Sequence, residues 1–520
     1  MASRRLPLVV AAAGVAAAWG AARYAAFAPL LWLVMLVVLG LLAPVERRLL
    51  DHRWLFAGLL LLGCSWLAAA DHEAALRHSL LFLIAALLFG LARRAPPDDR
   101  LVGLIALGLA LTATVALAQA LGGLEQARGF VTDLPVQWRE AAATRLAGGR
   151  VFGTSALPGH YAALLLLAAP LLIERAWRSS GLRRAGWGAA LALVAVAMVL
   201  TRSLAAPVVA GALLLPLAVR KLRNRHVQVA VAVLLAVAIA VLVSRHDLAR
   251  LEPLRLRWVN WQTAAWVFAQ HPWLGVGLGG VGQASLLAPT AAANITPYAH
   301  NTYLQLLAEL GLAGVGLLAV GVCALQRLIR TGLSAHPGLT LAVAVIPLHN
   351  VVDFSAYAPE VLLPWAVLAG TLAGRGFPLP ERPLRGDVLL TLIGGGALLS
   401  ALAWRAEVGL AAAASPPARA VVSAMDAARW APWTLTPVEL AASLALESGA
   451  PAPVVAEVDA QLAARAWVRP RSASWAESRC RLLLAQGRRG EALVWVREAR
   501  RRAPWREGLA ELEAACSRAR

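Results

Sequence analysis

The 520-residue sequence is poor in charged residues and in cysteine, and each shortage excludes a class of protein. Charged residues make up 15% of the chain and hydrophobic residues 59%, whereas an ordinary soluble domain is roughly 25% charged. A water-soluble globule of this composition could not cover its surface with polar groups, which excludes a soluble enzyme and a disordered protein. Four cysteines are too few for a disulfide-stapled secreted scaffold. A polytopic membrane protein remains.

Acidic residues and lysine are scarce as well. The chain has 29 Asp and Glu against 49 Lys and Arg, a net charge of +20, and Lys221 is the only lysine. A strongly basic protein can bind nucleic acid. A membrane protein, however, keeps such an excess in its cytoplasmic loops. The positions of the arginines along the chain decide between the two interpretations.

Thirteen apolar runs approach the roughly 20 residues that a helix needs to cross a bilayer. They lie near 6–22, 24–43, 54–70, 79–92, 101–121, 156–173, 187–203, 204–219, 227–243, 303–325, 338–354, 359–373 and 387–404. The N-terminus and the loops after every second run hold about twice as many basic residues as the other loops, which places them in the cytoplasm. This pattern explains the charge without nucleic acid. We expect an all-α, polytopic transmembrane helix bundle of about 12–13 spans.

The same orientation places two long loops, 122–155 and 244–302, and the C-terminal tail outside the cytoplasm. In a bacterial inner membrane this side is the periplasm. The sequence therefore predicts a transmembrane domain over 1–404 and a periplasmic helical domain over 405–520. Within the tail, 475–504 resembles one tetratricopeptide repeat unit, and an ordinary helical hairpin is an equally fair interpretation. Cys480 and Cys516 could pair in an oxidising compartment.

The second long loop carries the most informative residues. Arg257 and Trp261 lie four residues apart, on one face of a predicted amphipathic helix that the His-Pro pair at 271–272 ends. A run of glycines that includes Gly275 and Gly277 follows, and glycine lets the backbone approach a ligand closely or bend sharply. The pattern predicts an arginine aimed at an anion beside a tightly folded loop. Mere helix packing by the glycines is the alternative.

The next apolar run opens with a polar pair. His300 and Asn301 stand where the chain enters the membrane, and Asn301 or Thr302 can cap the helix that follows. The dipole of that helix favours an anion near its N-terminus. His300 could also be a plain polar end group.

Together these residues resemble the O-antigen ligase and O-antigen polymerase family of membrane glycosyltransferases. The elements that carry the resemblance are Arg257, Trp261, Pro272, Gly275 and Gly277; His300, Asn301, Leu304 and Gly311; Thr201-Arg202-Ser203; Arg150, Gly153 and Pro158-Gly159-His160; and His349 with Asp353. The resemblance covers roughly 100–375. The chain departs from the family pattern where no glycine follows Arg202 and where His160 replaces a common asparagine.

The resemblance implies a reaction and residue roles. Such enzymes transfer an oligosaccharide from undecaprenyl pyrophosphate to an acceptor hydroxyl at the outer face. Arg202 and Arg257 would stabilise the pyrophosphate charge, and His300 would take the acceptor's proton as general base. Residues that would help to bind substrate are Arg150, Trp261, Gly275, Gly277, Asn301, His349 and Asp353. No Asp-x-Asp or metal-ligand spacing is present, so we expect no metal and no cofactor.

Several interpretations stay open. The acceptor could be another lipid-linked repeat unit, the lipid A core of lipopolysaccharide or a protein hydroxyl, and the tail could hold a protein partner. His349 and Asp353 could simply pair with each other, and Arg150 could be a solvated loop residue. The polar stretch 72–78 could be a plain outer loop. A transporter or flippase for lipid-linked sugars would need mid-span charges and an inverted repeat, and a scaffold would need no catalytic histidine.

Overall fold

A computed structural model of the chain describes most of the sequence and contains only helices and connecting turns over those residues. The described residues are 15, 16, 18, 52–94, 99–131, 136–203, 205–212, 252–376, 393–403, 405–406 and 417–518. Over this part of the chain, the all-α prediction is confirmed.

The membrane-domain helices follow one another with short connections. They are α1 (His52–Leu67), α2 (His72–Arg94), α3 (Asp99–Ala118), α4 (Leu124–Gly129), α5 (Val136–Ala147), α6 (Pro158–Arg178), α7 (Gly181–Leu200), α8 (Glu252–Gln270), α9 (Val281–Ala284), α10 (Thr302–Gly332), α11 (Pro337–His349) and α12 (Pro359–Gly376). A π-helical turn, Gln119–Gly123, joins α3 to α4.

Five of the described helical segments are long and apolar enough to cross a membrane: α2, Asp99–Gly129, α6, α7 and α10. Eight of the thirteen predicted spans coincide with described helices, including the shorter α1, α11 and α12. The runs 24–43 and 227–243 lie outside the described residues, and 6–22, 204–219 and 387–404 lie only partly inside them. The multi-pass membrane character follows from these helices.

Leucine and alanine side chains of α2, α3, α6, α11 and α12 form one continuous buried core. The closest helix pair is α2 with α12, where Gly370 and Gly374 lie four residues apart against the backbone of α2. A Cβ at either glycine would lie 2.3 Å from the carbonyl oxygen of Phe89 or Arg93. Small residues at this spacing let two membrane helices pack with their backbones in contact.

The helix termini gather at two ends of the bundle. At one end, Arg375 bonds to Asp99 (2.9 Å) and to His336 (2.8 Å), so α3, α11 and α12 meet there. At the other end, which we call the site end, α6 and α12 begin and α11 finishes. There the backbone N–H of Thr302 at the start of α10 donates to Asn350 O (2.9 Å). Alternate connections therefore meet at the same end, as the predicted span order requires.

The structure interrupts α10 where the sequence predicts a continuous helix. Gly311 has φ 60° and ψ −142°, far from helical values. The break leaves backbone groups that the loop after α8 satisfies: Val276 N donates to Ala308 O (3.1 Å), Gly277 N donates to Glu309 O (3.0 Å) and Leu312 N donates to Pro272 O (2.8 Å). The glycine run is therefore packed into the opened helix.

The described part of the C-terminal tail contains six helices around its own apolar core. They are α13 (Pro417–Trp430), α14 (Thr436–Glu447), α15 (Ala452–Ala464), α16 (Ala473–Ala485), α17 (Arg489–Arg502) and α18 (Leu509–Ser517). Five residues of the repeat-like stretch 475–504 are fully buried: Ala476, Leu483, Ala492, Val496 and Ala499. They form the contact between α16 and α17, which either a tetratricopeptide unit or a plain hairpin requires.

One arginine fixes this tail to the membrane domain. The guanidinium of Arg469 bonds to Glu73 (2.7 Å), to Asp71 (3.1 Å) and to Glu439 (3.2 Å). His72 N also donates to Val468 O (2.8 Å). The interpretation of 72–78 as a plain outer loop is wrong, because these residues form the first turns of α2 and carry the tail.

Candidate functional site

His300 lies at the site end, immediately before α10, in an unusual backbone conformation. Its φ is +52°, in the left-handed region that non-glycine residues rarely adopt. The next residue, Asn301, is the N-cap: its Oδ1 accepts from Tyr303 N and Leu304 N at 3.0 Å each. The side chain of His300 keeps 32% of its surface exposed.

The connection between α11 and α12 is tied to the same place. Thr302 N donates to Asp353 O (3.0 Å) as well as to Asn350 O, and Thr302 Oγ1 donates to Asn350 Oδ1 (2.9 Å). The first backbone N–H groups of α10 are thus already occupied, so an anion there would depend on side chains. The predicted helix 338–354 is too long, because α11 ends at His349 and this turn begins at Asn350.

Asp353 lies among three imidazoles. Its Oδ1 is 4.0 Å from His300 Nδ1, and its Oδ2 is 3.8 Å from His349 Nδ1. The charge of His160 on α6 also acts on the same carboxylate. The ring of Phe354 contacts both His160 (centroids 4.6 Å apart) and His300 (4.8 Å apart) edge-on. The structure therefore joins α6, α10 and the α11–α12 connection around one carboxylate.

The electrostatics of this group favour a neutral His300 beside an ionised Asp353. Burial lowers the pKa of His300 from 6.5 to about 4; the charge of Asp353 opposes that fall, while Arg257 and His160 add to it. Burial by itself would raise the pKa of Asp353, but His160, His349, the Phe354 N–H and His300 bring it below its usual value. At neutral pH, His300 can therefore accept a proton.

Arg257 and Trp261 reach this group from α8. The helix buries the face that carries Val259, Thr263 and Ala264, and both predicted residues lie half-buried beside that face. Trp261 Nε1 donates to His300 O (3.4 Å). The positive charge of Arg257 acts on His300, on His349 and on Arg150. The predicted helix and its arginine are thus brought to the histidine 43 residues further along the chain.

Arg150 and Arg202 complete a cluster of cations. Arg150 Nε donates to Thr201 O (2.9 Å), which fixes it beside Arg202. Burial, and after it the charges of Arg257 and Arg202, lower the pKa of Arg150. The side chain of Arg202 is exposed at the end of α7, and its φ is +50°. Arg150 thus lies within range of the charges of both Arg202 and Arg257 despite the repulsion between like charges.

Two properties mark this cluster out. Among the described residues, no carboxylate forms an ion pair with Arg202 or Arg257, although most arginines of the tail have one. Within the same part of the chain, Arg202 and His300 are the two non-glycine residues with positive φ. Backbone strain of this kind persists where the surroundings enforce it, and it concentrates at functional sites.

The two predicted loop glycines are placed elsewhere. A Cβ at Gly275 would lie 2.3 Å from the backbone of Glu309, and a Cβ at Gly277 would lie 2.5 Å from that of Ala69. Both glycines therefore pack the loop against α10 and the chain after α1, and neither contact involves the charged cluster. Substrate binding by them stays a prediction, and the packing alternative has direct structural support.

The sequence patterns did not indicate His160 as a member of the imidazole group or Phe354 as its shared neighbour. His160 was visible only as a departure from a family asparagine, and Phe354 follows the predicted Asp353 directly. Over the described residues, no group of three or more His, Cys, Asp or Glu side chains has the arrangement of a metal site. The described groups thus offer cations and a base.

Comparison with known proteins agrees with the motifs. Residues 187–319 match the sequence model of the O-antigen ligase family, a segment that contains Arg202, Arg257 and His300. No curated protein and no solved structure matches the chain. The family match confirms the resemblance predicted from the residues and supports a membrane enzyme of glycosyltransferase type.

Proposed function

We propose that this chain, whose residues 187–319 match the O-antigen ligase family, transfers an oligosaccharide from undecaprenyl pyrophosphate to an acceptor hydroxyl. The reaction takes place at the site end, on the periplasmic side of a bacterial inner membrane. One observation carries the proposal: Arg150 lies within range of the charges of Arg202 and Arg257, and Arg257 also acts on His300. The described residues pair no carboxylate with Arg202 or Arg257. Such a cluster is electrostatically incomplete without an anionic ligand.

The guanidiniums act on the leaving group. When the glycosidic bond to the pyrophosphate breaks, the bonding electrons go to the phosphate oxygen and its negative charge grows. Arginine stays protonated and donates two parallel N–H groups to phosphate oxygens. Preorganised donors of this kind stabilise a transition state by about 3–4 kcal/mol each. Arg202 and Arg257 fit this role best, because Arg150 already donates to a backbone carbonyl.

His300 acts on the acceptor. Its lowered pKa keeps the imidazole neutral at pH 7, so that it can take the hydroxyl proton as the oxygen attacks the anomeric carbon. The resulting imidazolium lies 4.0 Å from Asp353 Oδ1, and the carboxylate stabilises that charge. Because the nucleophile attacks opposite the departing pyrophosphate, the anomeric configuration inverts.

Three acceptors remain candidates within this reaction: a second lipid-linked glycan, the lipid A core and a protein hydroxyl. Arg469 holds the tail against the start of α2. A tail fixed in this position would provide a surface that guides a long acceptor or a growing chain.

The test is transfer by the purified full-length protein. Undecaprenyl-pyrophosphate-linked oligosaccharide is supplied with each candidate acceptor, and the products are separated by gel electrophoresis. A ladder identifies a polymerase, and a single transfer identifies a ligase or a protein glycosyltransferase. His300→Ala should abolish the product while binding of the donor persists. Movement of the lipid across vesicles with no product would identify a transporter, and full activity of His300→Ala would contradict the proposed mechanism.

A further inference from the structure

The turn between α5 and α6 is held rigidly beside the proposed site. Val151 N donates to Leu200 O (3.4 Å). The side chain of Gln119, from the π-helical turn, accepts from Phe152 N (3.0 Å) and Gly153 N (2.8 Å) and donates to Gly153 O (3.0 Å). π-Helical turns inside longer helices occur often at functional sites. The residues that follow Gly153 are therefore fixed in position before any ligand arrives.

These following residues carry buried polar atoms that have no hydrogen-bond partner among the described residues. Thr154 is 0% exposed, Ser155 is 3% exposed and His160 is 5% exposed. Within the described part of the chain, Thr154 Oγ1, Ser155 Oγ and His160 Nε2 have no hydrogen-bond partner, and His160 Nδ1 has a 3.7 Å contact with Glu360 Oε1. Native proteins pair the large majority of their buried polar side-chain atoms. Three unpaired atoms within seven residues therefore form a group that an external partner would satisfy.

The residues around Thr154, Ser155 and His160 indicate the chemistry of the external partner. The ring of His160 packs against Phe354, which also packs against His300, so the group adjoins the proposed reaction centre. Buried Glu360 places Oε1 at 3.7 Å from His160 Nδ1 and at 3.5 Å from Ala156 N. This carboxylate would repel a phosphate and would accept from a hydroxyl. Hydroxyls, an imidazole and a carboxylate are suited to a ligand that is rich in hydroxyl groups.

We propose that Thr154, Ser155 and His160 form a subsite for the hydroxyl groups of a sugar ring. The proposal rests on the proposed function and adds the sugar-binding part of the site to its pyrophosphate-binding part. The bound ring belongs either to the donor oligosaccharide or to a glycan acceptor, which present the same chemistry.

Kinetics of isosteric variants test the subsite. Thr154→Val and Ser155→Ala remove one hydroxyl each, and the KM for donor and for acceptor is measured separately in the transfer assay of the full-length protein. The donor is undecaprenyl-pyrophosphate-linked oligosaccharide extracted from the cells that make this protein. We expect one of the two KM values to rise about 3- to 10-fold, the effect of one lost hydrogen bond. The KM that rises identifies the bound sugar.

Two controls distinguish loss of sugar binding from loss of stability and from loss of lipid binding. Thr112→Val removes a hydroxyl that is equally buried but already donates to Leu109 O (2.6 Å). It should lower the melting temperature and leave both KM values unchanged, whereas Thr154→Val should leave the melting temperature unchanged or raise it. Affinity for sugar-free undecaprenyl pyrophosphate should be the same in Thr154→Val and wild type.

The outcomes are distinct. Unchanged KM values in both subsite variants, with active wild-type protein, overturn the subsite alone. A lower melting temperature of Thr154→Val with unchanged KM values identifies a buried structural water and also overturns it. Weaker binding of the sugar-free lipid by Thr154→Val would show that the turn binds pyrophosphate instead. Absence of transfer by the wild type with every acceptor overturns the proposed function itself.

Discussion

Two arginine sites at the same end of the molecule differ in whether carboxylates form ion pairs with the arginine. Arg469, between the tail and α2, contacts Asp71, Glu73 and Glu439, and its side chain is 18% exposed. Arg257, on α8, acts electrostatically on Arg150 and on two histidines, His300 and His349. Arg469 therefore has three carboxylate partners, whereas no carboxylate of the described residues forms an ion pair with Arg257.

The difference indicates that Arg469 stabilises the fold and that Arg257 binds a ligand. A buried charge is tolerated when opposite charges and hydrogen bonds surround it, and then its removal damages the fold. A cluster of like charges raises the free energy of the folded state. A protein that retains such a cluster therefore needs another interaction that compensates for this repulsion. We infer that the anionic ligand supplies that interaction. Substitutions at the two sites should therefore fail in opposite ways.

The largest expected effect is on activity, in Arg257→Gln. We expect kcat/KM to fall by about 10²- to 10³-fold, as for removal of one preorganised transition-state donor. The melting temperature should stay the same or rise, because repulsion within the cluster is relieved. Arg255→Gln, at an exposed position on the same helix, is the matched control and should keep nearly full activity. A large loss of stability in Arg257→Gln would make it a structural residue like Arg469.

The next effect is on stability, in Arg469→Met. The substitution removes the cation that three buried or half-buried carboxylates share, and Glu73 keeps its 3.4 Å contact with Arg77. The loss should cost about 3–5 kcal/mol of folding free energy. Limited proteolysis should then release the tail from the membrane domain. Addition of Glu73→Gln should restore part of the protection, whereas exposed Arg471→Met should leave the tail protected. An unchanged digestion pattern in Arg469→Met would show that Arg469 does not hold the tail against the membrane domain.

A smaller effect is expected on the pH profile. The pKa of His300 is about 4, so kcat/KM should stay level from pH 7 to about pH 5 and fall about tenfold per pH unit below 4. Bound pyrophosphate should raise the pKa of His300 and move the acid limb of kcat upwards. Because Asp353 raises the pKa of His300, Asp353→Asn should move the acid limb of kcat/KM downwards. An upward shift in that variant would contradict the assigned pair.

The smallest expected effect is a change in the number of free thiols, which reports the side of the membrane on which the tail and both arginine sites lie. Cys480 Sγ and Cys516 Sγ are 3.6 Å apart and buried. A periplasmic thiol–disulfide oxidoreductase would oxidise this pair and be reduced itself. Alkylation of the denatured protein from cells should count two thiols without reductant and four with it. Four thiols in both samples would indicate a reducing compartment and would contradict the periplasmic orientation.

Several elements were predictable from the sequence because their signals are local. Hydropathy located the helices, and a four-residue spacing placed Arg257 and Trp261 on one helix. The family motifs selected Arg202 and His300, although composition could not show that both adopt a positive φ. The cap at Asn301 follows from residue type and position alone.

Other elements depend on contacts that leave no pattern along the chain. Glu73 and Arg469 lie 396 residues apart, and neither residue differs in spacing from ordinary helix-surface charges. The break in α10 at Gly311 depends on the loop at 272–277, which forms hydrogen bonds with the backbone groups that the break leaves open. His160 joins the imidazole group through tertiary packing of α6 against α12, which a single sequence does not encode as a periodicity.

The proposed mechanism requires the guanidiniums of Arg202 and Arg257 to bind the diphosphate of the donor. Binding of the lipid without its sugar tests this requirement most directly. The affinities of the full-length protein for undecaprenyl pyrophosphate and for undecaprenol are compared in detergent, for wild type and for the Arg202→Gln, Arg257→Gln double variant. We expect wild type to prefer the pyrophosphate by about 100-fold or more, since each charge-assisted hydrogen bond contributes roughly 1.5–3 kcal/mol, and the double variant to lose that preference. A preference that survives in the double variant would contradict the claim.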